Sequence, residues 1–368
     1  MDKQRRYDLD WLRVCSVFAV FLHHVCMPFN GDDFHIMNNE SSKILDDIMV
    51  YFEQFRLPIL FLVSGVGTVF AFSNKTWYQF IIERIKRLVI PLVFGVLVIV
   101  PPQVYYEEYI EQSSFFKVLP EIVLQNKVNH LWFIEQLFVL SLLFIPIILL
   151  MNSNKKKLVY NFMSKWSQRF GMFSWVVILI ILRVLSKFYF PSNSNSLTNL
   201  STLLFYAFFF FSGIVIAKNQ NVWLLLQKNR RKNLFLAFIS TVVFYVYYFI
   251  PTDVISPFLS LQHRWNLWYI VCCLVSWGVI ISILGYSSVY LNNKSKVLSK
   301  LNEAVYPFYI LHQTVIIIFG YYIINNDLTL IIKLILLLIS SFFTIGVIYI
   351  FFIKPFKLIR FLFGMKNR

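Results

Sequence analysis

Charged residues are scarce in this sequence. Asp, Glu, Lys and Arg together make up 14% of its 368 residues, whereas 58% are hydrophobic. An ordinary soluble domain has about 25% charged residues and about 45–50% apolar residues. The shortage of charge therefore excludes a soluble globular protein and is typical of a polytopic membrane protein.

Cysteine and long polar segments are scarce as well. Four cysteines occur, all inside apolar runs and at no metal-ligand spacing: Cys15, Cys26, Cys272 and Cys273. Their number and positions argue against a disulfide framework and predict no metal site. No polar stretch is long enough to fold separately, so we predict a single transmembrane domain over residues 1–368 with no separate soluble domain. The first apolar run lacks a small-residue cleavage site and is expected to stay in the protein.

Apolar runs of about 18 to 25 residues, each long enough to cross a bilayer as a helix, occupy most of the chain. They lie at roughly residues 9–29, 50–73, 86–105, 131–151, 171–190, 199–217, 233–250, 267–290, 304–324 and 328–353. We therefore predict an all-α fold with about ten transmembrane helices.

The net charge of +16 follows a clear pattern along the chain. Lys and Arg cluster at alternate connections, for example at residues 75–87 and 155–169. The other connections are poor in them and often acidic, as at Glu107 and Glu108. This positive-inside pattern predicts that both termini are cytoplasmic. Because the basic excess is a topology signal, we do not expect a nucleic acid partner.

The first apolar run, YDLDWLRVCSVFAVFLHHVCMPF, contains several ionisable residues. An ionisable side chain in hydrocarbon is costly unless it faces a protein interior or a wet cavity. Arg13 and His24 are about three helical turns apart and so share one face, roughly 16 Å apart. Asp10 lies one turn before Arg13, within pairing reach, whereas His23 points about 80° away. We therefore predict a functional polar face formed by Asp10, Arg13 and His24.

Two further runs carry ionisable residues near their predicted outer ends. Arg56, in the second run, fits either a side chain that snorkels to the interface or a site residue. In NHLWFIEQ, His130 and Trp132 fit an interfacial anchor, and together with Glu135 they are further candidates for the site. Glu135 lies one turn deeper, and we predict that it pairs with Arg56.

The ninth run, NEAVYPFYILHQTVIII, places His312 and Gln313 near mid-membrane and Tyr306 nearer its cytoplasmic end. A second intramembrane histidine, beside an amide and on a different helix, favours a site over a purely structural hydrogen bond.

The segment IIERIKRLVIP at the start of the third run places three cations within one turn, including Arg84 and Arg87. They fit ordinary positive-inside anchoring. They also fit a clamp for a phosphorylated cytoplasmic ligand, because guanidinium groups match phosphate oxygens in a bidentate manner.

Five segments together resemble the acyltransferase 3 family, bacterial membrane enzymes that O-acylate carbohydrates. In chain order they are DLDWLRVCSVFAVFLHHV, FRLPILFLVSG, ERIKRLVIP, HLWFI and YPFYILHQTV. They occur in the family's order and extend from residue 7 to about residue 320. The YDLDWLR opening and YPFYILHQ are most similar to the branch of glucan-modifying enzymes.

The resemblance implies an acyl-coenzyme A dependent O-acyltransferase in the bacterial cell membrane, without a metal. His24 would be the catalytic base and Arg13 its partner, while Arg84 and Arg87 would bind the phosphates of the donor, with acetyl-coenzyme A expected. The acceptor would be a hydroxyl of a cell-envelope carbohydrate or glycolipid. Some relatives append an extracytoplasmic hydrolase-like domain, and its absence from this sequence favours transfer that finishes within the membrane domain.

A second function fits the same buried residues. Arg13, His24 and His312 would also suit a proton-coupled transporter or flippase of a glycan or lipid precursor. Transporters often have paired, broken spans in two halves, and the charged spans here are not paired in that way. Consumption of acyl-coenzyme A without a gradient would separate the two functions.

Overall fold

The computed structural model describes residues 6–73, 75–152 and 157–366, and over these residues the chain is helical without a β-strand. The predicted all-α class is therefore confirmed. The helices are α1 Tyr7–Asn30, α2 Lys43–Phe72, α3 Trp77–Tyr109, α4 Phe115–Leu124, α5 Trp132–Leu143, α6 Ile145–Asn152, α7 Lys157–Phe170, α8 Val176–Tyr189, α9 Leu200–Lys218, α10 Gln220–Lys228, α11 Arg230–Phe249, α12 Thr252–Ile255, α13 Leu261–Tyr290, α14 Lys296–Ile324, α15 Leu330–Ile353 and α16 Lys357–Leu362.

Nine described helices are long and apolar enough to cross a membrane, which agrees with the predicted count. A tenth span is obtained if Phe115–Leu143 and Ile145–Met151, which are bent by 44°, are counted as one. Pro146 directly follows the start of α6. Because proline donates no backbone hydrogen bond and favours the first turn of a new helix, it explains the break at this point.

Helix α3 contains three π-helical turns, at Ile85–Val89, Gly95–Ile99 and Tyr105–Tyr109. Proline residues at 91, 101 and 102 remove backbone donors from the same helix. A missing donor disturbs the regular hydrogen-bond ladder, and π-turns often occur where a helix carries functional residues.

Contacts divide the chain into two compact units. The first comprises Met1–Leu12, Glu53–Trp77 and Leu140–Lys294, and the second comprises Arg13–Phe52, Tyr78–Val139 and Ser295–Arg368.

The core of the first unit contains a pair of buried tryptophans. The rings of Trp175 and Trp277 stack with their centroids 5.7 Å apart. Each indole N–H has an acceptor, since Trp277 donates to the carbonyl of Met172 at 2.8 Å and Trp175 donates to Ser167 Oγ at 3.0 Å. The large apolar surface is thus buried without an unsatisfied polar group.

In the second unit, α14 runs parallel to the part of α1 that begins at Arg13. Arg13 Nη1 lies 3.4 Å from Asn302 Oδ1. About two turns further along, the rings of Phe21 and Phe308 are 5.1 Å apart. Beyond them the imidazoles of His24 and His312 meet. Helices α1 and α14 therefore place polar side chains at two separate ends of the second unit, Arg13 and Asn302 at one and His24 and His312 at the other.

Candidate functional site

His24 on α1 and His312 on α14 form a direct hydrogen bond. His24 Nδ1 and His312 Nε2 are 2.9 Å apart, and His312 Nδ1 lies 2.5 Å from the carbonyl oxygen of Tyr309. A carbonyl only accepts, so the hydrogen of a neutral His312 is on Nδ1 and its Nε2 accepts from His24. The hydrogen of a neutral His24 is then on Nδ1. This assignment leaves His24 Nε2 as a proton acceptor.

A third imidazole, that of His130, packs against this pair. Its ring centroid is 5.0 Å from that of His312, and the two planes are nearly perpendicular. His130 Nε2 donates to the carbonyl of Ile310 at 3.0 Å, and the Tyr309 hydroxyl donates to the His130 carbonyl. The Ile310 carbonyl therefore holds the ring of His130 in place, and this fixed ring limits the orientations open to the imidazole of His312.

Buried amides surround the histidines. Gln103, which is fully buried, donates to Thr314 Oγ1 at 2.6 Å and accepts from Asn129 at 3.0 Å and Gln313 at 3.3 Å. Thr314 in turn donates to the carbonyl of Ile99 at 2.8 Å, in the second π-turn of α3. A satisfied buried network of this kind fixes the relative positions of the elements that contribute to it.

A carboxylate–imidazole pair continues this network towards the surface. His35, in the loop between α1 and α2, has Nδ1 2.7 Å from Glu107 Oε2 and Nε2 2.7 Å from Gln313 Nε2. The amide donates to Nε2, so Nδ1 donates to the carboxylate. The side chains of His35 and Glu107 are 19% and 28% exposed. Phe34 places its ring 6.1 Å from that of His24, so the same loop covers the histidines. We call His24, His35, His130 and His312 the histidine end.

The opposite end of these helices is basic, and we call Arg13, Arg84 and Arg87 the basic end. The guanidinium carbon of Arg84 lies 4.7 Å from the ring centroid of Phe80, and Arg87 Nη2 lies 3.1 Å from Glu83 Oε1. Arg84 lies within electrostatic range of Arg13, Arg87 and Tyr306.

Most of the predicted site residues lie in the second unit. They are Arg13, His24, Arg84, Arg87, His130, Trp132, Glu135, Tyr306, His312 and Gln313. The structure brings His24, His130, His312 and Gln313 together at the histidine end. Trp132 and Glu135 are half-buried on α5.

Asp10 and Arg56 belong to the first unit. The carboxylate paired with Arg56 is that of Glu53 on its own helix, at 3.7 Å. Glu135 belongs to the second unit, and its pairing with Arg56 stays a prediction. Within the first unit, Arg56 has a carboxylate one helical turn away on α2.

Several residues in or next to the histidine end were not anticipated from the sequence: His35, Gln103, Glu107, Asn129 and Thr314. Gln103 offered a signal, since it is an amide inside an apolar run. His35 and Glu107 have other polar residues beside them in the sequence and offered none. Within the described ranges, no group of three or more His, Cys, Asp or Glu residues is placed to hold a metal ion.

Comparison with known proteins gives one family and several distant relatives. A family model described as "Acyltransferase domain" matches residues 6–353. Glucans biosynthesis protein C of Shigella dysenteriae serotype 1 (strain Sd197) is 25% identical over 57% of this chain and 57% of its own length. The values are the same for the Glucans biosynthesis protein C of Escherichia coli (strain K12). The chain thus spans little more than half the length of these curated relatives. No solved structure matches it.

Proposed function

Because the chain belongs to the acyltransferase 3 family, whose domain model covers residues 6–353, we propose that it is a membrane O-acyltransferase. It moves a short acyl group, such as acetyl, from acyl-coenzyme A to a hydroxyl of a cell-envelope carbohydrate or glycolipid. The proposal places it in the bacterial inner membrane with both termini in the cytoplasm. The relatives named for glucan biosynthesis favour a glucan-like acceptor. The observation that carries the proposal is the hydrogen-bonded His24–His312 pair.

In the proposed reaction, His24 Nε2 takes the proton of the acceptor hydroxyl while that oxygen attacks the thioester carbonyl. The carbon–sulfur bond then breaks, and the departing thiolate takes a proton from the imidazolium. The products are the O-acyl ester and free coenzyme A. His312 Nε2 accepts from His24 Nδ1–H throughout, which orients the base and stabilises its charged form. General base catalysis of this kind contributes about 10²- to 10⁴-fold.

The basic end suits the nucleotide part of the donor. Arg84 and Arg87 would pair with its phosphates on the predicted cytoplasmic side, because guanidinium groups bind phosphate oxygens through paired N–H donors. Arg13 and His24 are roughly 16 Å apart along α1. The long, thin pantetheine arm can cover such a distance and place the thioester near His24.

Replacing both Arg84 and Arg87 with glutamine is expected to raise the KM for acetyl-coenzyme A roughly 10- to 100-fold, since hydrogen bonds to charged groups contribute about 1.5–3 kcal/mol. The control uses S-acetylpantetheine, which lacks the nucleotide phosphates. Wild type and variant should use this truncated donor equally well. An equal loss with both donors would show that the two arginines act on something other than phosphate.

The Glu107–His35 pair suits recognition of the acceptor, because it presents partly exposed polar groups beside the buried histidines. Replacing Glu107 with glutamine removes the charge that orients His35. We expect kcat/KM for the glycan to fall about tenfold, the effect of losing about 1.4 kcal/mol of binding, with the KM for the donor unchanged.

Glu108 provides the matched control for this prediction. It pairs with Lys127, and both side chains are more than one-third exposed, at 37% for Glu108 and 35% for Lys127. An exposed ion pair contributes about 0–1 kcal/mol, so Glu108→Gln should leave the glycan kinetics nearly unchanged. Equal effects of the two substitutions would argue against a specific role for His35 and Glu107.

The central test is thiol release from acetyl-coenzyme A by the detergent-purified protein, with crude envelope glycan as acceptor and no membrane gradient. Acceptor-dependent release, together with acetyl ester recovered in the glycan, is the expected result. A transporter would bind or move the glycan without consuming the thioester. Absence of both thiol release and binding of acyl-coenzyme A analogues would overturn the proposal.

A further inference from the structure

Among the cations on the spanning helices of the first unit, we consider Arg56 on α2, and Arg183 and Lys187 on α8. We call them the basic cluster. In the part of the chain that the structure describes, the ion pair formed by this cluster is that of Arg56 with Glu53, at 3.7 Å. The Glu53 side chain is 39% exposed. The cluster therefore has more positive charge than the fold compensates.

Arg56 is the member with the fewest hydrogen bonds. Its side chain is 11% exposed, and its Nε and Nη1 atoms are buried with no hydrogen-bond partner among the described residues. A guanidinium has five N–H donors and no acceptor. Snorkelling to an interface does not explain these atoms, because they have no exposed surface. A buried charge that lacks acceptors is strongly unfavourable unless something else supplies them.

The neighbours of Arg183 supply aromatic surfaces in place of anions. Its guanidinium carbon lies 4.7 Å from the ring centroid of Phe205 and 5.6 Å from that of Tyr269. Arg183 Nη1 has a 3.4 Å contact with Ser201 Oγ. Tyr206 lies within electrostatic range of both Arg183 and Arg56, so the two guanidinium groups lie in the same region of the unit.

Lys187 is satisfied by neutral acceptors. Its Nζ donates to the carbonyl of Ser192 at 2.6 Å and to Asn193 Oδ1 at 2.7 Å. These bonds tie the end of α8 to the polar segment that follows it but add no negative charge. Lys187 therefore contributes to the positive potential of the cluster without a counter-ion of its own.

From this uncompensated charge we infer that the basic cluster binds the phosphate group of an amphiphilic molecule. A phosphate offers several acceptor oxygens to the forked donors of an arginine, which would satisfy the buried Nε and Nη1 atoms of Arg56. The residues lie in helices long enough to span a membrane. In the predicted topology, the three residues lie towards the outer ends of α2 and α8, on the side where the phosphates of the outer lipid leaflet occur. This binding site does not depend on the acyl-transfer proposal.

The test compares the melting temperature of the detergent-purified protein with and without phosphatidylglycerol or phosphatidylcholine. In neutral detergent, Arg56→Met should melt at or above the wild-type Tm, because it removes a largely buried guanidinium whose Nε and Nη1 donors have no acceptor among the described residues. Phosphatidylglycerol should raise the Tm of the wild type and not that of the variant. Apparent affinity for phosphatidylglycerol should exceed that for phosphatidylcholine by about tenfold or more, and the variant should lose this preference.

Two further arms identify the source of the phosphate and the specificity of the effect. If glycerol phosphate alone stabilises the wild type and not Arg56→Met, the site accepts a water-soluble phosphate; if only the lipid does so, the lipid chains are required. Both results support the site. Arg231 is exposed on α11, so Arg231→Met should keep the lipid effect.

Three outcomes would overturn the inference. The first is that the wild type shows no preference for phosphatidylglycerol. The second is that Arg231→Met removes the preference as fully as Arg56→Met does, which would indicate general surface attraction. The third is that Arg56→Met melts below the wild type in neutral detergent, which would show that Arg56 has a structural role within the protein itself.

Discussion

Replacing His24 with alanine is expected to reduce acyl transfer by about 10²- to 10⁴-fold, which is the usual contribution of a general base. The loss should appear in kcat, because the imidazole acts on the proton of the attacking hydroxyl. The folded state should survive, since the hydrogen bond of His312 to the Tyr309 carbonyl and the contacts of His130 do not depend on His24. Thiol release and the melting temperature of the purified variant measure the two expectations.

His312 should behave as a positioning residue for that reaction. His312→Ala removes the acceptor for His24 Nδ1–H, so kcat should fall, but by less than in His24→Ala. Because the two groups act as a unit, the double variant should be no worse than His24→Ala alone. Additive losses would show that the two histidines act independently.

Two other histidines serve as comparisons. His263 is exposed on α13, and His263→Ala should leave turnover unchanged. His23 is buried beside His24 but points about 80° away from the face that carries Arg13 and His24, so His23→Ala should have a mild effect on turnover. Full activity in His24→Ala, or a loss in His23→Ala that exceeds it, would contradict the assignment of the base.

The sequence was informative where ionisable residues interrupt apolar runs. Helical geometry placed Arg13 and His24 on one face, and a second intramembrane histidine marked α14. These inferences need no tertiary information, since hydrocarbon makes each buried polar group conspicuous. The number of spanning helices followed from the lengths of apolar runs in the same way.

Contacts between distant segments could not be derived in this way. His35 and Glu107 are 72 residues apart and stand among other polar residues, so only the folded chain shows that they meet. For Arg56, depth in the membrane did not indicate the carboxylate of Glu53, which lies 3.7 Å away on the same helix. The π-turns of α3 could not be predicted either. They occur in a helix that contains Pro91, Pro101 and Pro102, and the periodicity of apolar residues does not indicate where such turns form.

Replacing Gly65 with alanine is expected to cause the largest loss of stability, because α2 and α9 cross here with their backbones in contact. A Cβ atom at Gly65 would overlap the carbonyl group of Phe210, and one at Gly213 would overlap that of Leu62. Small residues allow membrane helices to approach this closely. An obstructing carbonyl belongs to the backbone and cannot turn away as a side chain can. We therefore expect Gly65→Ala and Gly213→Ala each to lower the free energy of unfolding by about 3 kcal/mol or more, at the upper end of the usual cost of overpacking.

Gly346 supplies the matched control, since it also lies inside a helix but has no atom within 4 Å of the position that an added methyl group would occupy. Gly346→Ala should be neutral or should gain up to about 1 kcal/mol of helix propensity. Melting temperature and the fraction of monodisperse protein in detergent distinguish the variants. If Gly65→Ala were as stable as Gly346→Ala, the close crossing of α2 and α9 would be wrong. If Gly65→Ala is destabilised as expected, its low activity reflects lost folded protein, whereas His24→Ala should be inactive while fully folded.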